Sequence, residues 1–227
     1  MLSSIKKAYK NSLIFKKIDE IENRHYQKDL TNHNFTLLTP NCMGGLIYHR
    51  LGEKFNSPTI DISMPTHDFM VMINDLDYYM ACDITGIDNE GFEYPIGVIK
   101  GDDMHEDVRV NFVHYKTFEN AREKWNIRKQ RIIKNNMYVI VCDINDIYEE
   151  DKDKVGYISD DDLQLFEKFE CNNKVMLTRD KSRKQPYAHY IEPLYNQPYP
   201  FTYMNRDIFG LNGFEKHFDF VSFLNKR

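Results

Sequence analysis

Closely spaced cysteines are absent from this chain. Cys42, Cys82, Cys142 and Cys171 lie far apart, which removes the paired spacing that zinc and redox motifs use and points to reduced thiols. The N-terminus has no continuous apolar run of the kind a signal peptide or spanning helix needs, so the sequence predicts a cytoplasmic protein. An excess of basic charge is missing too. With a net charge of −5, general attraction to nucleic-acid phosphates is not expected, and any anion site must be local. Internal repeats and low-complexity linkers are also lacking, and no composition shift marks a boundary. The 227 residues, 41% of them hydrophobic, suffice for one α/β domain over residues 1–227 with a well-buried core.

What is present reads as alternating strands and helices. Residues 1–30 form an amphipathic N-terminal helix. Lys6, Lys7, Lys10, Lys16 and Lys17 precede its first acid, leaving open peripheral contact of residues 1–20 with an anionic membrane at its inner face, beside plain packing on the domain. A strand at Phe35–Thr39 leads through Gly44-Gly45 into a short helix, and "SPTIDIS" reads as a second strand. Thr66 is positioned to cap one helix over "HDFMVMINDLDYYM", whose apolar residues recur at helical spacing. "YPIGVI" and "VRVNFVHY" read as strands, Thr117 caps a helix from Phe118, "NNMYVIVCD" is a buried strand, Ser159 caps "DDDLQLFEKF", and "NKVMLT" is another strand. This alternation, over residues 35–180, predicts a mostly parallel sheet covered on both faces. Residues 186–227 read as an irregular Pro/Tyr-rich aromatic layer followed by a helix over "FEKHFDFVSFLN".

In such sheets ligands sit beyond the carboxyl ends of strands. That rule selects Asn41, Cys42, Gly44, Gly45, Ser63, His114, Tyr115, Lys116, Asp143 and Arg179. The adjacent glycines let a ligand approach the backbone at a helix start, or merely permit a tight turn; they match no dinucleotide or P-loop fingerprint. His49 lies a turn further on. In "HYKT", His114 suits an acid or base and Lys116 an anion contact. Trp125 and Arg128 share a face of the following basic helix, which fits a sugar phosphate or nucleotide sugar, or is simply solvated. Metal ligation finds little support. Asp75 and Asp77 point apart on a helix, and Asp143 and Asp146 depart from the Asp-x-Asp spacing of metal-dependent glycosyltransferases. No cofactor is identified. No catalytic triad has local support, although Cys42 and His114 can meet if their strand ends are neighbours.

Taken together, "NCMGGLIYHRLGEKFNSPTIDISM", "DFMVMINDLDYYM", "YPIGVI" and "VNFVHYKTFENAREKWNIRKQRI" resemble the bacterial family called domain of unknown function 1919, some members of which are named exopolysaccharide biosynthesis proteins. The resemblance spans roughly residues 1–210 and highlights Asn41, Gly44, Gly45, Tyr48, His49, Gly52, Ser57, Pro58, Thr59, Phe69, His114, Tyr115, Lys116, Trp125 and Arg128. Asp61 stands where an asparagine is expected. The resemblance implies a Rossmann-like, three-layer α/β fold and a place in cell-surface polysaccharide assembly, with no reaction attached. The expectation is therefore a transferase binding an activated or phosphorylated sugar. In it His114 and Lys116 are catalytic, and Asn41, Gly44, Gly45, His49, Tyr115, Trp125 and Arg128 bind substrate. The alternatives are a non-catalytic glycan- or membrane-associated accessory protein and a sugar acyltransferase with His114 as base.

Overall fold

In the computed structural model, the residues described are 13–89, 91–142, 144–147, 155–178, 180–191 and 218–226. Lys6, Lys7, Lys10, Asp143, Arg179 and most of the Pro/Tyr-rich layer lie outside them. The elements are α1 (Leu13–Asp29), β1 (Thr36–Leu38), α2 (Met43–Leu51), α3 (Thr66–Asn74), α4 (Leu76–Ala81), β2 (Ile84–Ile87), β3 (Ile96–Ile99) and β4 (Val108–Asn111). They continue with α5 (Phe118–Lys129), β5 (Met137–Cys142), β6 (Ile144–Ile147), β7 (Val155–Tyr157), α6 (Asp160–Lys168), β8 (Lys174–Thr178), β9 (Ala188–Tyr190) and α7 (Phe220–Leu224).

The main sheet is four-stranded and parallel, in the order β1-β5-β8-β9. Strands buried on both sides read as unbroken apolar runs, which is why "MYVIVC" and "VMLT" are so uniformly β-forming. Residues paired across the sheet share a side. Leu38, Val139, Val141 and Met176 join one apolar cluster, while Leu37, Tyr138, Ile140, Cys142, Val175 and Leu177 join another. The second cluster takes in Met43, Ile47, Tyr48 and Leu51 of α2 and Phe220, Val221, Phe223 and Leu224 of α7. Asn32 fastens α7 to the start of the fold, its side-chain amide donating to Leu224 O at 2.8 Å.

A second sheet, β2-β3-β4, is antiparallel, and β6-β7 form a separate antiparallel pair. Ile84, Ile99, Val108, Val110 and Phe112 carry the β2-β3-β4 sheet into the first cluster. Strand β2 has no counterpart in the pattern read from the sequence, because three of its four positions, Gly86 among them, are exposed and leave it without apolar alternation.

Three local expectations are corrected. The single helix over residues 67–80 is two, α3 and α4. Asp75 leaves helical geometry at φ −136°, ψ 58°, and its carboxylate accepts from Tyr78 N, so it caps the second helix. Thr66 is the first helical residue rather than the cap, a place taken by Pro65. Finally, "SPTIDIS" is a turn, since Asp61 has φ 62°, a left-handed conformation that costs a non-glycine residue energy and interrupts an extended chain. Only Ser63 pairs, bridging to Asn111.

Along β1, the turn, the segment before it and α2 together supply the partners a neighbouring strand would give. Thr39 N donates to Thr59 Oγ1 at 3.2 Å, Leu37 N donates to Tyr48 OH at 3.0 Å, and Thr36 Oγ1 donates to Asn56 O at 2.9 Å. Buried backbone groups at the sheet edge are thereby satisfied.

Candidate functional site

Three segments meet at the carboxyl end of β1. Met64 N donates to Pro40 O at 2.8 Å, and Ser63 and Asn111 exchange two backbone bonds of 2.8 Å. The chain emerging from β4 is thus laid against the loop that leaves β1. Strand β4 stops at Asn111, short of the expected His114, and the next residues turn, with Tyr115 N donating to Phe112 O at 3.0 Å. That turn brings the exposed His114 over the half-buried Cys42, with Nε2 and Sγ 3.1 Å apart.

The loop beneath is tied to itself. Asn41 Oδ1 accepts from Met43 N at 3.0 Å, and Thr39 Oγ1 accepts from Gly44 N at 3.1 Å while donating to Asn41 O at 2.7 Å. Two amides of the α2 N-terminus are therefore already occupied, whereas Gly45 N–H has no acceptor among the described residues. Gly44 is where the backbone cannot carry a side chain, because a Cβ there would stand 2.8 Å from Thr39 Oγ1. The glycine pair is in part a close-packing device, since a Cβ on Gly45 would in turn meet Ile60 Cγ2 at 3.4 Å and Asp61 Oδ1 at 3.5 Å.

Behind the loop, Arg128 braces both segments. Its Nη1 donates to Ile60 O at 2.9 Å and to Tyr115 OH at 2.8 Å, its Nη2 lies 3.4 Å from Asp61 Oδ2, and its guanidinium stands over the Phe55 ring at 5.3 Å. Burial, reinforced by the Asp61 charge, pushes the Cys42 thiol up to about 11, so the resting group is neutral. Burial likewise raises Tyr115, with Arg128 opposing it.

Asn41, Gly44, Gly45, His114, Tyr115 and Arg128 thus share one neighbourhood, with exposed Lys116 two residues from His114. His49 is exposed in the last turn of α2, away from the loop. Trp125 is 1% exposed, lies in the first apolar cluster edge-on to Phe112, and has no partner for Nε1 among the described residues.

A second cluster escapes sequence reasoning. His67, at the start of α3, places Nδ1 2.6 Å from Asp162 Oδ1 and Nε2 3.2 Å from Glu106 Oε2. Ser159 holds the other Asp162 oxygen at 2.8 Å and caps α6 through Asp162 N. The Ser-x-x-Asp cap is visible in the sequence, but the histidine it faces is 95 positions away. Burial pulls the His67 proton affinity down, yet the bonds to Asp162 and Glu106 outweigh it and leave the group raised above 6.5. His105 is raised as well, through Asp102 first and then Asp75.

A histidine whose folded value is raised contributes stability that is fully present below its ordinary value and lost as pH rises through the raised one. Wild type should therefore exceed His67→Gln in stability most clearly below about pH 6.5, the margin shrinking above neutrality. With the His67 side chain 47% exposed, the margin stays within about 1 kcal/mol. Urea unfolding midpoints across pH check this; a margin that grows with pH would contradict it.

At the carboxyl end of β8 a cleft of about 670 Å³ is lined by Asp160, Asp180, Ser182, Arg183, Lys184 and Gln185. It lies on the same edge of the sheet as Cys42 and His114 but does not contain them. Among the described residues no three His, Cys, Asp or Glu side chains are placed to hold a metal ion, and no helix is long and apolar enough to cross a membrane.

The family model of a domain of unknown function (DUF1919) matches residues 11–225. An uncharacterized protein of Haemophilus influenzae is 28% identical over 208 residues, covering 89% of this chain and 90% of that protein.

Proposed function

For a chain that belongs to the DUF1919 family, we propose a transferase of cell-surface polysaccharide assembly that binds an activated or phosphorylated sugar at the carboxyl end of β1. The observation carrying this reading is the 3.1 Å approach of His114 to Cys42, which joins the glycine turn and "HYKT" into one surface site. His114 is the acid or base for a sugar hydroxyl, Lys116 faces solvent beside it as an anion contact, and the Gly45 amide at a helix N-terminus has no acceptor among the described residues. Arg183 and Lys184, in the cleft at the end of β8, add cations on the same edge. The frame is read as Rossmann-like and three-layered, supported by the two separate apolar clusters to which alternate residues of β1, β5 and β8 belong.

Thermal unfolding with nucleotide sugars, sugar phosphates and polyprenyl-phosphate mimics tests the reading. A true ligand at a hundredfold excess over its Kd adds about 2.7 kcal/mol by mass action, a rise of about 5–10 °C for a chain this size. The rise should shrink in His114→Ala. If none of these compounds shifts the midpoint, the reading fails.

A further inference from the structure

We propose that Cys42 is a nucleophile that carries an acyl group as a thioester, with His114 as the base that removes its proton. The inference rests on the transferase reading and names the group transferred. Cys42 and His114 come from segments 72 residues apart, and their approach is held by backbone pairing on both sides, Met64 with Pro40 and Ser63 with Asn111. His114 is exposed and Cys42 is half-buried beneath it, so a substrate would reach the pair from the histidine side.

The alternative acceptor for the thiol proton, Ile62 O, is more distant at 3.7 Å. His114 therefore holds the better position to take it. Because burial and Asp61 keep the resting thiol protonated, the sulfur is not a standing thiolate and needs a base at the moment of attack, as a serine does beside its histidine. Thiols attack carbonyl carbon readily and yield thioesters that a hydroxyl can later displace, so the pair fits acyl transfer better than phosphoryl or glycosyl transfer.

The steps balance without an oxidant or a metal. Cys42 Sγ attacks the carbonyl of an acyl-thioester donor as its proton passes to His114 Nε2. The donor's C–S bond breaks, and the departing thiol takes that proton. A sugar hydroxyl then attacks the Cys42 thioester, giving its proton to His114, which returns it to the sulfur as the new ester leaves.

The test uses the full chain with two probes, iodoacetamide and acetyl-coenzyme A, read by mass spectrometry and peptide mapping. Cys42 should be alkylated faster than Cys171, which is also half-buried but has no histidine beside it among the described residues. His114→Ala should slow Cys42 at least about tenfold and change the shape of its pH–rate profile, while leaving Cys171 untouched. Acetyl-coenzyme A should leave a hydroxylamine-labile acetyl group on Cys42 that Cys42→Ala abolishes. Equal alkylation of Cys42 and Cys171, an unchanged Cys42 rate in His114→Ala, or no acetyl adduct overturns the inference. A stabilising sugar phosphate with no adduct overturns the nucleophile and leaves the transferase reading standing; an adduct without stabilisation by any sugar supports the nucleophile and removes the phosphorylated sugar.

Discussion

Trp125→Ala should lower the unfolding free energy by about 3–5 kcal/mol, the range for emptying a large aromatic site in a packed core. The indole is 1% exposed and lies in the cluster that joins β5, the small sheet and α5. Its ring meets Phe112 edge-on, with centroids 6.3 Å apart, a contact that strengthens burial. Trp125→Phe behaves differently, because it keeps most of the volume and removes an N–H that has no acceptor among the described residues. Its cost should stay under about 1.5 kcal/mol. Urea unfolding of the two variants separates a core indole from a ligand platform. An alanine variant with near wild-type stability would place Trp125 at the surface after all.

The reason Trp125 reads as a site residue in sequence is instructive. It sits three positions from Arg128 on a helix rich in Lys and Arg, so its side reads as a basic binding face even though Ala121, Trp125 and Ile132 line up along it. In the fold that face turns inward, with Ala121, Trp125 and Arg128 buried together. Ala121 and Trp125 mark that inner side and Ile132 packs against the same cluster, but the charges interleaved with them let the same side be read as a binding face. Signals that are purely local carry no such ambiguity. The caps Thr117 and Ser159 accept from Asn120 N and Asp162 N, and β5 follows its uninterrupted β-forming run. Both depend on neighbours within a few positions.

Long-range geometry is what the sequence left open. Nothing local says that Asp61 adopts φ 62° or that β2 forms, because those depend on what lies alongside. The strand order β1-β5-β8-β9 likewise depends on packing. The same limit applied to the candidate site. Cys42 and His114 each follow a strand, but whether they meet turned on the Ser63–Asn111 bridge, a contact made by one residue of a segment that otherwise resembles a strand and is not one. His67 and Asp162 were invisible for the same reason, their partnership spanning separate helices.

Arg128 is where stability and the site converge, and replacing it should affect both. Arg128→Leu removes the donor to Ile60 O and Tyr115 OH and leaves the Asp61 carboxylate without its partner. Asp61 is 41% exposed and can be rehydrated, so the ion pair itself is a minor part of the loss. The larger part is the buried carbonyl of Ile60, fully enclosed with its side chain at 0%, because an unsatisfied buried acceptor costs about 1–3 kcal/mol. With the Tyr115 bond and the packing over Phe55 added, the expected total is about 2–4 kcal/mol. Arg128→Lys is not a rescue, because a single ammonium cannot span Ile60 O, Tyr115 OH and Asp61 as the planar fork does. Both variants should also slow alkylation of Cys42 severalfold, since the brace holds the Asp61 turn beside Cys42 and Tyr115 next to His114. The comparison with Trp125→Phe then decides how the brace acts. If Arg128→Lys loses stability but Cys42 keeps its reactivity, Arg128 supports only the fold; if Cys42 slows in Arg128→Lys and not in Trp125→Phe, the guanidinium sets the geometry of the thiol–imidazole pair.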